Sequence, residues 1–105
     1  MDPLLIITNC PDEEVANAIA LALVEEKLAA CVNILPRVHS VYRWQGSVES
    51  ASEIPLLIKT TAARYAALES RIGELHPYEV PEIIAVPIAR GLPAYLNWLA
   101  GETLQ

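Results

Sequence analysis

Three side chains in this 105-residue sequence are of the types that bind transition metals: the thiol of Cys10, the imidazole of His76 and the carboxylate of Glu82. A thiolate, an imidazole and a carboxylate together suit Cu(II) or Zn(II), which accept both soft and borderline ligands. Each residue also has an ordinary structural role open to it. Cys10 would serve as a small buried apolar group, His76 as a helix-ending residue and Glu82 as a solvated strand end. The sequence therefore predicts a candidate metal site and leaves this packing alternative open.

A second set of residues has the chemistry of a small-molecule site. Tyr42, Trp44 and Tyr78 are rigid aromatic side chains with a polar tip, a type that lines ligand pockets. Arg43 and Lys59 are scarce cations in an acidic chain and could contact an anionic ligand. The alternatives are that the aromatic rings pack an interface and that the two cations are solvated or ion-paired.

The charge balance narrows the class of partner. Thirteen acidic residues against seven basic ones give a net charge of −6 and an isoelectric point near 4.7. Nucleic acids and anionic membranes are bound by basic surfaces, so we expect neither as a partner and expect cations instead. The sequence contains no Gly-x-Ser-x-Gly, no His-Glu-x-x-His and no glycine-rich phosphate loop. We therefore expect a protein that is not an enzyme.

Length, hydrophobicity and cysteine content predict a small cytoplasmic domain. A chain that is 53% hydrophobic and 19% charged is typical of a folded protein, here one domain over residues 1–105. Cys10 and Cys31 are too few for a disulfide framework, and Cys31 is expected in the core. The apolar run over residues 4–8 has no basic region before it and is too short for a secretory signal or a membrane span.

A series of strands and helices must position these residues. The apolar run over 4–8 predicts a strand, and apolar residues at helical spacing from Val15 predict a helix ending near Lys27. Alternating β-branched and aromatic residues on both sides of Gln45–Gly46 predict a hairpin. The remaining predicted elements are a helix capped by Thr60–Thr61 and ended by His76–Pro77, a strand over 83–88, and a last helix opened by residues 91–93. This βαββαβ order with a C-terminal helix predicts an α+β, ferredoxin-like sandwich with helices on one face of an antiparallel sheet.

The predicted hairpin is unusually long. Its arms, over residues 29–44 and 47–60, exceed the typical strand of about five or six residues. Pro36 and Pro55 cannot donate to a β-ladder, so each is expected at an edge or a bulge. Long arms with free edges are templates for pairing with another chain, and we therefore expect an oligomer.

The predicted topology leaves open whether the metal site lies in one chain or several. Cys10 follows the first strand, His76 ends the second helix and Glu82 opens the last long strand. Antiparallel pairing is expected to place Cys10 and Glu82 at opposite ends of their strands. This expectation argues against a single-chain site and allows a site shared between subunits.

Six segments of the sequence resemble the CutA divalent-cation-tolerance family. They are NCPDE (9–13), KLAACVNI (27–34), SVYRWQG (40–46), LIKTT (57–61), HPYEVPEI (76–83) and YLNWL (95–99). The resemblance implies a tight homotrimer of ferredoxin-like protomers whose long hairpins pair with strand edges of their neighbours. It also implies tolerance of divalent metals with Cu(II) binding, and Cys10, His76 and Glu82 match positions proposed as metal ligands. The trimer is similar to PII-type signalling proteins, which bind small effectors in clefts between subunits, so a PII-like sensor or interaction module is the alternative function.

Three residues depart from the usual pattern of that family. Arg37 stands where a glycine is common and Ser47 where a lysine is common, which changes the charge near the hairpin. Pro55 lies inside a predicted strand where the family usually has an apolar or β-branched residue. One hydrogen bond of the ladder is expected to be missing at Pro55.

Overall fold

The structure, a computed structural model, describes residues 2–104 and contains the predicted order of strands and helices. The elements are β1 (Pro3–Cys10), α1 (Glu13–Glu25), β2 (Cys31–Ile34), β3 (Val38–Trp44), β4 (Ser47–Thr61), α2 (Ala62–Leu75), β5 (Ile83–Pro87) and α3 (Pro93–Glu102). The order β2-β4-β1-β5 forms one antiparallel sheet, and β3 pairs with the outer half of β4. This is the predicted ferredoxin-like α+β arrangement. No helix within residues 2–104 is long and apolar enough to cross a membrane.

Side chains alternate between the two faces of the sheet, and one face carries the core. Ile6 pairs with Ile58, and both are completely buried on the face that α1 and α2 cover. Ile19 and Leu23 of α1 pack there with two residues of α2, Leu68 and Ile72. The spacing of these apolar residues explains why both helices bury one stripe.

The terminal helix α3 departs from the prediction that helices share one face. It packs against β1 and β4, and its buried Leu99 lies outside the core cluster formed with α1 and α2. Its Tyr95 lies near Cys31. Cys31 pairs with Lys59, so its side chain lies on the same face of the sheet as Lys59 and on the opposite face from the buried Ile58. The helix therefore covers part of the opposite face of the sheet.

The ends of the helices follow from local chemistry with one exception. The Asp12 side chain caps α1 by accepting a hydrogen bond from the Val15 N–H at 2.9 Å. Lys27 has φ of 60°, and this left-handed conformation follows the end of the helix. At α2, Thr61 occupies the predicted N-cap position. The predicted capping hydrogen bond is wrong, because the Thr61 side chain makes none. His76 ends α2 in an extended conformation, as a residue before proline requires.

The hairpin turns at Gln45 and Gly46, which have φ of 48° and 82°. Positive φ at both central residues is the geometry of a two-residue type I′ turn. The predicted first arm is interrupted between β2 and β3, at residues 35–37. Arg37 in this interruption donates to the Pro11 carbonyl at 3.4 Å and to Ser52 Oγ at 3.3 Å, so it links the hairpin to the loop after β1.

Pro55 lies opposite this interruption, and its missing N–H explains the local geometry. Its carbonyl accepts from the Leu35 N–H at 3.0 Å. The N–H and C=O of one strand residue point to the same edge of the strand. The Pro55 nitrogen, which has no hydrogen to donate, therefore also faces residues 35–37. The expected gap in the ladder therefore falls where β2 has ended and β3 has not begun.

Candidate functional site

The end of β1 and the start of β5 lie side by side. Thr8 pairs with Ile83, so the strand end at Cys10 is next to the segment that carries Glu82. The expectation that Cys10 and Glu82 would be separated is wrong, because in an antiparallel pair the C-terminal end of one strand adjoins the N-terminal end of the other. The predicted metal ligands therefore come from one end of the sheet.

Asn9 connects two of these ligands. Its side-chain Nδ2 donates to Glu82 Oε1 at 3.2 Å, and its backbone carbonyl receives a hydrogen bond from His76 Nε2 at 2.7 Å. Asn9 pairs with Pro55, but the Pro55 carbonyl points away from β1 and accepts from Leu35. Asn9 and Pro55 are therefore a non-hydrogen-bonded pair, and the Asn9 carbonyl makes no hydrogen bond with β4. The strand register therefore supplies the acceptor that holds the imidazole.

His76 is buried, with 7% of its surface exposed, and both of its ring nitrogens have partners. Nε2 donates to the Asn9 carbonyl, and Nδ1 accepts from the Tyr78 N–H at 3.2 Å. This pairing defines the neutral tautomer with the proton on Nε2. The His76 and Tyr78 rings also lie 4.6 Å apart between centroids. A metal ion would have to replace one of these two hydrogen bonds to use the imidazole.

Cys10 lies in the core and not on the surface. Its side chain is completely buried and belongs to the cluster beneath α1 and α2. Burial, followed by the negative charges of Asp12 and Glu53, raises the pKa of the Cys10 thiol to about 11. The sulfur is therefore a protonated thiol at neutral pH, whereas a metal ligand must be a thiolate.

The predicted metal ligands are neighbours along the sheet but lie on different faces. Alternation places Thr8, Cys10 and Ile83 toward the helices, and it places Asn9 and Glu82 toward the opposite face. Among residues 2–104, no group of three His, Cys, Asp or Glu side chains is arranged to hold a metal ion. The site of Cys10, His76 and Glu82 stays a prediction.

A cleft of about 720 Å³ opens beside Asn9 and Glu82. It gathers three of the predicted ligand-contacting residues, Tyr42, Trp44 and Tyr78, from the hairpin and from the loop after α2. The cleft is lined by Asn9, Ser40, Val41, Tyr42, Trp44, Glu53, Tyr78, Glu79, Val80 and Glu82.

The two predicted cationic contacts lie outside the cleft. Arg43 reaches the Gly46 carbonyl at the hairpin turn, at 3.5 Å. Lys59 donates to Asn33 Oδ1 on β2, and its Nζ lies 3.9 Å from Cys31 Sγ. The structure therefore separates the predicted aromatic contacts from the predicted contacts to an anion.

Glu53 is a residue of the cleft that sequence reasoning missed. It is 7% exposed, and its Oε2 accepts a hydrogen bond from the Tyr78 hydroxyl at 3.0 Å. Partial burial, followed by this hydrogen bond and the charge of Glu53, raises the pKa of Tyr78 to about 12. Glu53 pairs with Val38 across the hairpin, and only this register shows that it shares the face of Tyr42.

The fold agrees with that of the known proteins that the chain resembles. Residues 4–102 match the family described as CutA1 divalent ion tolerance protein, and the chain belongs to that family. The divalent-cation tolerance protein CutA of Thermus thermophilus is 54% identical over 103 residues, covering 98% of this chain and 99% of that protein. The CutA protein of Mus musculus is 48% identical over 91 residues, which are 87% of this chain. The chain spans 51% of the length of the mouse protein and 53% of the human protein.

Solved structures show the same similarity in three dimensions. The structure of the divalent cation tolerance protein Cut A1 from Thermus thermophilus has a TM-score of 0.95 at 52% identity, covering 96% of this chain and 98% of that one. The crystal structure of CutA from Xylella fastidiosa also has a TM-score of 0.95, at 50% identity and with coverage of 98% and 99%. The ferredoxin-like fold predicted from the sequence is thus confirmed.

Proposed function

We propose that this protein is a non-enzymatic homotrimer that binds a divalent metal ion, Cu(II) in the first place and Zn(II) in the second, and so contributes to tolerance of divalent cations. The observation that supports this proposal is the role of Asn9. It forms hydrogen bonds with both Glu82 and His76 and directly precedes Cys10. The three predicted donors therefore come from the same end of the sheet, and their chemistry is of the kind that Cu(II) and Zn(II) accept.

The three donors differ in how readily they would bind a metal. Glu82 is exposed and is the first contact for an arriving ion. His76 would become a ligand when it gives up the Asn9 carbonyl or the Tyr78 N–H, and Cys10 when it loses the proton that burial stabilises. Because the thiol must release a proton, metal affinity is expected to fall as the pH is lowered.

The homotrimer is supported by the surface that one protomer leaves exposed. Val41 and Val48 on the hairpin are 69% and 66% exposed, and Ile84 on β5 is 49% exposed. The outer edge of β5 pairs with no strand of residues 2–104. Exposed apolar side chains beside free strand edges favour pairing with further copies of the chain.

We propose a cytoplasmic location on the basis of the two cysteines. Both are free thiols in the structure, as is usual for proteins in a reducing compartment. Relatives carry other locations in their names: a chloroplastic CutA in Arabidopsis thaliana and a periplasmic one in Archaeoglobus fulgidus. Fractionation of cells of the source organism, with an antibody against the chain, tests this location.

Calorimetric titration with Cu(II) tests the metal proposal. The Cys10→Ser, His76→Ala double variant is expected to lose about tenfold or more in affinity, since each replacement removes one proposed ligand. The matched control is Cys31→Ser, His39→Ala, which removes the chain's other thiol and other imidazole and is expected to bind as the wild type does. Unchanged affinity in the first variant, or an equal loss in the control, would contradict the proposed ligands.

A second candidate function is binding of a small effector in the manner of PII-type proteins. The observation that favours it is the cleft itself, whose volume of about 720 Å³ lies in the range of small-molecule sites and whose lining includes three aromatic rings. Screening metabolites for a rise in melting temperature tests this function, because a ligand that binds only the folded protein stabilises it. An unchanged melting temperature with all cationic, neutral and anionic compounds tested would contradict it.

A further inference from the structure

We propose that the cleft binds a small organic cation with two or more protonated amines, such as a linear diamine or polyamine. This inference gives the ligand class for the effector-binding function and rests on that function; of the proposed metal ligands, Glu82 alone lines the cleft. It rests on the charge, the burial and the shape of the residues that line the cleft.

The electrostatic argument begins with Glu53. Glu53 is more than nine-tenths buried, and its carboxylate accepts a hydrogen bond from the uncharged Tyr78 hydroxyl. Among residues 2–104 the ion pairs are those of Arg71 with Glu26 and Glu74, so no described basic side chain neutralises Glu53. A buried carboxylate is costly unless a cation pairs with it. The cleft therefore contains a negative charge that a cationic ligand would pair with.

The cleft holds further negative charge around Glu53. Glu79 lies in the loop after α2 and Glu82 lies at the start of β5, so the carboxylates come from three segments of the chain. No Lys or Arg of the described residues lines the cleft. An anionic ligand would be repelled by this lining, whereas a ligand with separated positive charges would match it.

The aromatic residues favour an organic cation over a metal ion. Tyr42, Trp44 and Tyr78 line the cleft, and the faces of aromatic rings attract ammonium groups and pack against methylene chains. Val80 adds apolar surface to the same lining. Indole and valine side chains contribute nothing to a metal ion, and the cleft is far larger than one ion needs. A chain of methylenes with an ammonium group at each end uses all of these groups.

Titration calorimetry in about 0.15 M salt, where long-range attraction by net charge is screened, tests the proposal. The probes are putrescine and spermidine, with 1,4-butanediol as the uncharged analogue of putrescine and citrate as the anion. We expect both amines to bind the full-length protein and butanediol and citrate not to bind. Absence of amine binding, or equal binding of butanediol, would overturn the proposal. Binding of citrate alone would overturn the ligand class and leave the effector-binding function standing.

Variants show whether the cleft is the site. Glu53→Gln keeps an acceptor for the Tyr78 hydroxyl and removes the charge, so amine affinity is expected to fall about tenfold or more. Trp44→Leu is expected to lower it about threefold or more. The matched control Glu25→Gln removes one exposed charge from α1, outside the cleft lining, and is expected to bind normally. An equal loss in Glu25→Gln and Glu53→Gln would show attraction by net charge alone and would overturn the site.

Two further measurements separate this proposal from the others. Cys10→Ser is expected to keep full amine affinity, because the buried thiol does not line the cleft, so a loss there would contradict the proposed lining. Light scattering of each variant checks that its assembly is that of the wild type. If the cleft is closed by a second copy of the chain, the amines will not bind the wild-type protein, and the proposal fails.

Discussion

Strand β4 passes through two regions of the molecule that differ sharply in burial. Its second half, from Glu53 to Thr61, lies in the sheet beside β1 and β2 and is mostly buried. Its first half, from Ser47 to Ser52, pairs only with β3 and is exposed or half-buried throughout. The hairpin arm makes the molecule 44 Å long but only 25 Å and 23 Å across.

The difference shows that a strand gains a core only where a second layer covers it. The same alternation of side chains runs through both halves of β4, but no helix of the described residues packs over the arm. An isolated two-stranded hairpin is marginally stable in water, and the proposed homotrimer would give the arm a covering surface. The candidate cleft lies where the two regions meet, with Glu53 at the boundary.

The largest effect on stability is expected from truncating the buried half of β4. Ile58→Ala removes a completely buried side chain and is expected to lower the free energy of unfolding by about 2–5 kcal/mol. Val48→Ala, in the exposed half of the same strand, is expected to cost less. Urea denaturation followed by circular dichroism, at one protein concentration, measures both. Equal losses would contradict the division of β4 into a core half and an arm half.

A charge on the arm is expected to affect assembly more than folding. Val41→Asp replaces a side chain that is 69% exposed in one protomer, so the protomer has room for the carboxylate. If the arm packs against other copies, the variant loses the burial of a valine at each contact, about 1.5–3 kcal/mol. We expect light scattering to show smaller species with an unchanged helical spectrum. An assembly of the same mass as the wild type would place Val41 outside any interface between copies.

Two threonines on neighbouring core strands are expected to respond in opposite directions. Thr60→Val removes a hydroxyl that donates to the Leu28 carbonyl at 2.7 Å, and the loss is expected to be about 1–3 kcal/mol. The Thr8 hydroxyl is buried without a partner among residues 2–104, so Thr8→Val is expected to raise stability by about 1 kcal/mol. Thermal unfolding of both variants measures the pair. Destabilisation by Thr8→Val would show that its hydroxyl has a partner in the assembled protein.

The smallest effect is a loss of stability at alkaline pH that depends on the Cys10 thiol. The folded state raises the pKa of its thiol from 9.0 to about 11, so the unfolded chain loses this proton first. The resulting stability is fully present below about pH 9 and is lost as the pH rises through about 11. Urea midpoints at pH 8 to 11 are expected to fall less steeply in Cys10→Ala than in the wild type. Tyr78 also lowers stability at alkaline pH, but it does so equally in the wild type and in Cys10→Ala. Equal slopes of the urea midpoint against pH would therefore contradict the raised pKa of the Cys10 thiol.

The order of elements could be predicted because it depends on local patterns. Apolar spacing from Val15 marked α1, the Gln45–Gly46 pair marked the turn, and His76 before Pro77 marked the end of α2. The position of α3 could not be predicted in this way, because its apolar residues do not reveal which face of the sheet they cover. The threonine cap of α2 failed for a related reason: the residue type permits a hydrogen bond that the backbone at Thr61 does not make.

The candidate site could be predicted only in its residue types. Cys10, His76 and Glu82 are visible as metal-binding side chains, and Tyr42, Trp44 and Tyr78 as pocket residues. The sequence did not show that Cys10 and Glu82 point to opposite faces, nor that Asn9 joins Glu82 to His76. It also gave no sign of Glu53, which looks like any other acid of the hairpin.

The amino-acid sequence alone therefore determined the elements, their order and the donors available for binding, because periodicity and residue type are properties of neighbouring positions. The strand register, which exists only in the folded protein, decided how these donors are arranged. Pairing of Asn9 with Pro55, of Thr8 with Ile83 and of Val38 with Glu53 sets which side chains share a face and which carbonyls stay free. A shift of one residue in any of these pairings would send each side chain to the other face, so the site exists only in the folded sheet.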